Sequence, residues 1–165
     1  MKKTNQHTVS EASKRLAAEE ESSLFTELSF TRGHTTMSKR AQEDLRRLYE
    51  VARQKGKIDE VKAITWADTE YPSTDLIRLP KSDRRLVNRR NDAIEDYIDS
   101  LDKTIDVDRF SMAERPSTYE ILFSTEDARV KRTLVKAGIP DSGSASKVPR
   151  KASKSIVIFV MDDKP

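Results

Sequence analysis

The sequence predicts a mixed α/β domain of α+β type: a two-layer sandwich in which one mixed β-sheet carries helices packed on one face. Three observations lead there. Short alternating or apolar runs of strand length interchange with longer stretches whose apolar residues recur at helical spacing. Capping residues and glycines punctuate the helical stretches at their ends. The last apolar run, Ile156, Val157, Ile158, Phe159 and Val160, is unbroken and reads as a central strand that closes the sheet.

Residues 1–22 are polar, and the helix-compatible run at 12–21 offers little to bury, so this stretch reads as a tail or linker. In 23–30, Leu24, Leu28 and Phe30 fall on one side of an alternating pattern, a half-buried strand ended by Gly33. Ser38 is a candidate N-cap. Ala41, Leu45, Leu48, Tyr49 and Ala52 then repeat at helical spacing until Gly56 stops them. Residues 61–67 alternate again and leave Asp68 at the exit of a second strand, followed by a loop holding Pro72 and Pro80.

A second helix opens at Ser82, with Leu86, Ala93, Ile94, Tyr97, Ile98 and Leu101 as its apolar stripe. Arg90 sits within that stripe, so its stem lies along the buried edge while its head reaches for an anion or for water. Residues 108–112 form a short third strand. Thr125 caps a third helix containing Ala128, Val130, Leu134 and Val135, which Gly138 and Pro140 end. The Ser- and Lys-rich stretch at 141–154 lacks apolar periodicity and reads as a flexible loop. The domain is expected to span 23–162, with an insertion at 117–154.

Composition narrows the function classes. The chain has 165 residues, enough for one domain with a core plus excess at its ends. Thirty-one Lys and Arg stand against 28 Asp and Glu, well mixed, which argues against nucleic acid as a partner. The basic loop of Lys147, Arg150, Lys151 and Lys154 lacks interleaved aromatics and reads as a solvated linker. There is no cysteine, so disulfides, thiolate zinc sites and Cys nucleophiles are excluded. The two histidines, His7 and His34, lack ligand spacing, and no metal or other cofactor is implied. Gly-rich phosphate loops, nucleophile elbows and HExxH motifs are missing, so no catalytic residue is assigned and an enzyme is not expected. No apolar run approaches the ~20 residues of a membrane span, and no signal peptide follows Met1.

Asp68 and Arg90 are the pair that spacing singles out. A carboxylate leaving a strand and a guanidinium on the next helix can meet at one end of the sheet and grip a zwitterion, each through charge-assisted hydrogen bonds. The same spacing also fits an internal salt bridge.

Beside this reading, 24–116 and the closing strand resemble the OmpA C-terminal-like domain of outer-membrane proteins, peptidoglycan-associated lipoproteins and flagellar stator proteins. The likeness rests on Phe30, Met37, Leu45 and Leu48, on the run Ile64, Thr65, Trp66, Ala67, Asp68 and Thr69, and on Leu86, Arg89, Arg90, Ala93 and Ile94. Ala67 replaces the family's usual Thr, Asp83 its usual Asn, Val87 its Ser and Asn91 its Ala.

The resemblance implies that Asp68 and Arg90 bind the diaminopimelate of the peptidoglycan stem peptide, with Thr69, Asp83 and Arg89 completing the site. Backbone donors at 69–73 are expected to hold the ligand's carboxylate. The family also implies a periplasmic home and the anchoring of an envelope protein or complex to the cell wall; a lipidated Cys in the place of Met1, with the polar stretch 2–22 as tether, is the expected link to a membrane. The alternative is the same fold serving as a protein–protein interaction module in an envelope secretion or motility complex, with other envelope proteins as partners.

Overall fold

A computed structural model describes residues 10–143 and 150–163. Four strands form one mixed sheet in the order β1-β4-β2-β3. These are β1 (Phe25–Ser29), β2 (Ile58–Thr65), β3 (Asp106–Ser111) and β4 (Lys154–Met161). The helices are α1 (Glu11–Glu19), α2 (Lys39–Lys55), α3 (Lys81–Leu101), α4 (Thr118–Leu122) and α5 (Glu126–Lys136).

Local sequence explains most of these elements. Ser38 accepts a hydrogen bond from the Ala41 amide at 3.1 Å and so starts α2. Ala41, Leu45, Tyr49 and Ala52 face inward from it, and Gly56 ends it at φ 154°, a backbone angle suited to glycine. β2 pairs with β3 in parallel, Val61 opposite Val107 and Ile64 opposite Phe110. Parallel neighbours need a crossover, which α3 supplies, entering behind Pro80. β4 runs antiparallel to both β1 and β2, with Val157 beside Thr26 on one side and Ala63 on the other.

The mixed α/β class and the mixed sheet are as the sequence predicts. The distribution of helices differs. Leu28, Val61, Ala63, Val157 and Phe159 face a core with Leu45 and Ala52 of α2 and Ile94 and Ile98 of α3. The opposite face is also covered: Ile64, Phe110, Ile156 and Ile158 pack against Leu16 of α1 and Val130 and Leu134 of α5. Helices on one face alone is therefore corrected to helices on both. The reason lies in β4, whose central residues are buried on both sides of the sheet and so demand a second apolar layer.

Two further expectations change with it. Within the stretch read as a tail, Glu11–Glu19 form α1, capped by Ser10, with Leu16 and Ala17 each 1% exposed; residues 1–9 lie outside the described residues. The 117–154 stretch contributes α5, a structural cover for the sheet, and its loop positions 144–149, including Lys147, lie outside the described residues. Lys151, read as part of a solvated basic linker, is instead 1% exposed. Its ammonium is paired with Glu27 and touches Ser10, and Ser13 donates to the same Glu27 oxygen. Burial pushes the Glu27 carboxyl up, but Lys151, Ser13 and Ser10 together outweigh it and hold it below its ordinary value. Among the described residues no helix is long and apolar enough to cross a membrane.

Candidate ligand-binding site

Three chain segments converge where β2 ends. Backbone pairing continues past the strand, Trp66 N–H donating to Lys154 O at 2.9 Å and Ser153 N–H to Ala67 O at 2.6 Å. Phe30 N–H, just after β1, donates to Ser153 O at 2.7 Å. Asp68 thus leaves a backbone already fixed by its neighbours, and its direction is set before any side chain acts.

Arg90 rises to meet it from the middle of α3. Its Nη2 donates to Asp68 Oδ1 at 2.7 Å, its Nη1 to Trp66 O at 3.0 Å and its Nε to His34 O at 2.9 Å. Nη2 also lies 3.4 Å from Thr31 O, and the guanidinium stands 5.0 Å over the Phe30 ring. With no exposed surface, Arg90 ties the loop after β1 to the end of β2. The expectation that its head reaches outward to fork onto a ligand carboxylate is corrected: every nitrogen of the guanidinium is engaged within the protein.

Asp68 is the half of the pair that solvent still reaches, its side chain 14% exposed. Besides Arg90 it accepts from Ser153 Oγ at 2.6 Å and from the Gly33 amide at 2.6 Å. Gly33 has φ 75°, a left-handed turn that aims its N–H at the carboxylate. Burial pushes the Asp68 carboxyl up, yet the bonds from Ser153, Arg90 and Gly33 hold it below the usual value, so it is anionic at neutral pH. Asp83, in the first turn of α3, is shifted the other way, by burial and then by the negative charge of Asp68. The two carboxyls therefore feel one another across the site.

The remaining expected residues contribute less. Thr69 follows Asp68 and is half-buried, whereas Arg89 is exposed, about 100° round the helix from Arg90. In the 69–73 loop the Ser73 amide donates to Ser142 Oγ at 3.1 Å, so it is committed to the protein's own chain. Sequence reasoning missed Ser153 and Gly33 as partners of Asp68. Gly33 carried a turn signal only, and Ser153 sat in a stretch with no periodic pattern.

A second charged cluster lies elsewhere on the sheet. Carboxylate oxygens of Glu60, Asp108 and Glu126 fall within 4.8 Å of one another, an all-oxygen set of the kind hard divalent cations use. Lys62 already occupies this cluster, its Nζ 2.6 Å from Glu126, 2.5 Å from Glu20 and 3.4 Å from Glu60. Its ammonium supplies the positive charge there. The Glu60 carboxyl is pushed up to about 7, by burial first and then by Asp108, against the pull of Lys62.

No protein-family model and no curated protein matches this chain.

Proposed function

We propose that this domain binds the peptidoglycan stem peptide non-covalently and without chemical turnover, tethering an envelope protein or complex to the cell wall from the periplasmic side. One observation carries the reading: the Asp68 carboxylate is fixed by three donors, Arg90, Ser153 and the Gly33 amide, and still reaches solvent. A rigid carboxylate suits an ammonium, such as that of a diamino acid in the stem peptide, and the negative charge of Asp83 acts in the same direction. The likeness of the Asp68 motif to the OmpA C-terminal-like family supports the same ligand, whereas Arg90 departs from the ligand contact that the resemblance implies.

In this reading Asp68 makes the contact and Arg90 is the positioning residue that holds it. Fixing the carboxylate beforehand removes the ordering cost that a free side chain would bring to binding.

Co-sedimentation with purified sacculi tests the proposal. The wild type is expected in the pellet. Asp68→Asn keeps the shape but loses the charge, and should weaken binding by about 1.5–3 kcal/mol, the range for a hydrogen bond to a charged group. Asp83→Asn should weaken it less. A wild type that stays in the supernatant would overturn the proposal and leave the interaction-module reading, which the exposed apolar side chains of α4 favour.

A further inference from the structure

α4 is a helix that the core does not need. Ser117 and Glu120 form a reciprocal capping box at its start, and none of its five residues is buried. Local capping therefore makes the helix, while its apolar side chains face outward. Tyr119, Leu122 and Phe123 are 69%, 75% and 61% exposed, with the Tyr119 and Phe123 rings in contact at 4.4 Å. Contiguous exposed apolar surface of this kind marks an interaction site.

Ile121 of the same helix, 60% exposed, borders a recess of about 220 Å³ between α4 and α5, with Tyr71, Pro116, Ala128 and Val135 among its other walls. That is smaller than the ~300–1,000 Å³ of small-molecule pockets and suits one or two apolar side chains of a partner.

Charge decides the partner's chemistry. Arg129, Arg132 and Lys136 line the same recess, are exposed, and make no ion pair among the described residues. Of the acids around it, Glu126 pairs with Lys62 and Asp127 with Lys131, while Glu120 is held in its capping box. No acidic side chain is among the recess walls, so its rim is basic.

We infer that the α4–α5 recess is a docking site for an acidic amphipathic segment of a partner protein, its apolar side chains entering the recess and its carboxylates meeting Arg129, Arg132 and Lys136. The site does not depend on Asp68 or on wall binding.

The test uses the full chain and a synthetic helical peptide with Leu and Phe on one face and Glu on the other, followed by fluorescence anisotropy. Binding should fall about tenfold or more with Ile121→Asp or Arg132→Glu, and should weaken as salt rises. Both positions are exposed, and circular dichroism of each variant reports whether the fold is kept. Three outcomes would overturn the inference. One is equal binding of a peptide with Lys in place of Glu. The second is failure of the acidic peptide to bind while anionic phosphatidylglycerol vesicles do. The third is dimerisation of the free chain, lost in the same two variants, since the recess would then serve a second copy.

Discussion

Ser153 donates its hydroxyl to the same Asp68 oxygen that Arg90 holds, at 2.6 Å and 2.7 Å respectively. A residue before β4 and a residue on α3 thereby converge on one carboxylate at the end of β2. The pair is thus part of a three-way junction, and its partners contribute to folding as well as to any ligand site.

That junction makes Arg90 the more damaging residue to lose. Arg90→Ala would leave Asp68 without its counter-charge and the carbonyls of Trp66 and His34 without their donor, the first and last partly buried and the Trp66 contact fully so. Removal of one partner from a buried ion pair typically costs about 3–5 kcal/mol, to be read by urea denaturation. Arg90→Lys should recover only part of this, because an ammonium cannot reproduce the planar fork that reaches several acceptors at once. A near-neutral Arg90→Ala would show that the guanidinium is not structural.

Most of the β1–α2–β2–α3–β3 course was legible because its signals are local: an N-cap at Ser38, a stripe through Leu45 and Tyr49, an exit at Asp68. The second layer was not. α1 presents Ala12, Ser13, Leu16 and Ala17 to the protein, a narrow stripe of mostly small residues whose flanking charges hide it in a hydropathy pattern. The partners of Asp68 are contacts across the chain, at separations of 35 and 85 residues, and no local spacing announces them. The convergence of Asp68 and Arg90 at one end of the sheet followed from topology, but the sealing of the guanidinium depends on loop carbonyls that spacing does not place.

Leu16 tests whether α1 belongs to the fold. It is 1% exposed and packs in the cluster beneath the second sheet face. Leu16→Ala should destabilise the protein by about 2–5 kcal/mol, the range for large-to-small changes in a core. A change within ~0.5 kcal/mol, as for a surface position, would return residues 10–22 to the status of a linker.

Glu60 is expected to contribute a stability that falls as pH rises toward neutrality. Its carboxyl is pushed up to about 7 from an ordinary 4.5, so between these values the folded state holds a proton that the unfolded chain releases. Stability is then greatest below about 4.5 as far as this group is concerned, and declines as pH rises through about 7. Glu60→Gln, which stays neutral throughout, should flatten that part of the stability–pH curve and leave the variant more stable than wild type at pH values above it. Thermal melts across the interval would show the difference in slope. A wild-type curve that rises through the same interval, unchanged by the substitution, would mean that Glu60 titrates normally.

The Lys151–Glu27 pair separates specificity from stability. Lys151 is 1% exposed and Glu27 16% at their side chains, so each ion has lost most of its water. Lys151→Met alone should destabilise by about 3–5 kcal/mol, because the Glu27 charge is left without its partner among Ser10 and Ser13. Glu27→Leu alone should do comparable damage by stranding the ammonium. Combining the two removes both charges, and replacing a buried pair by apolar groups of similar size is often neutral or stabilising by 1–4 kcal/mol. The double variant is therefore expected to be more stable than either single one, a positive coupling that a double-mutant cycle measures directly. Additive losses would instead mean that water reaches the pair and that α1 is held by its apolar contacts alone.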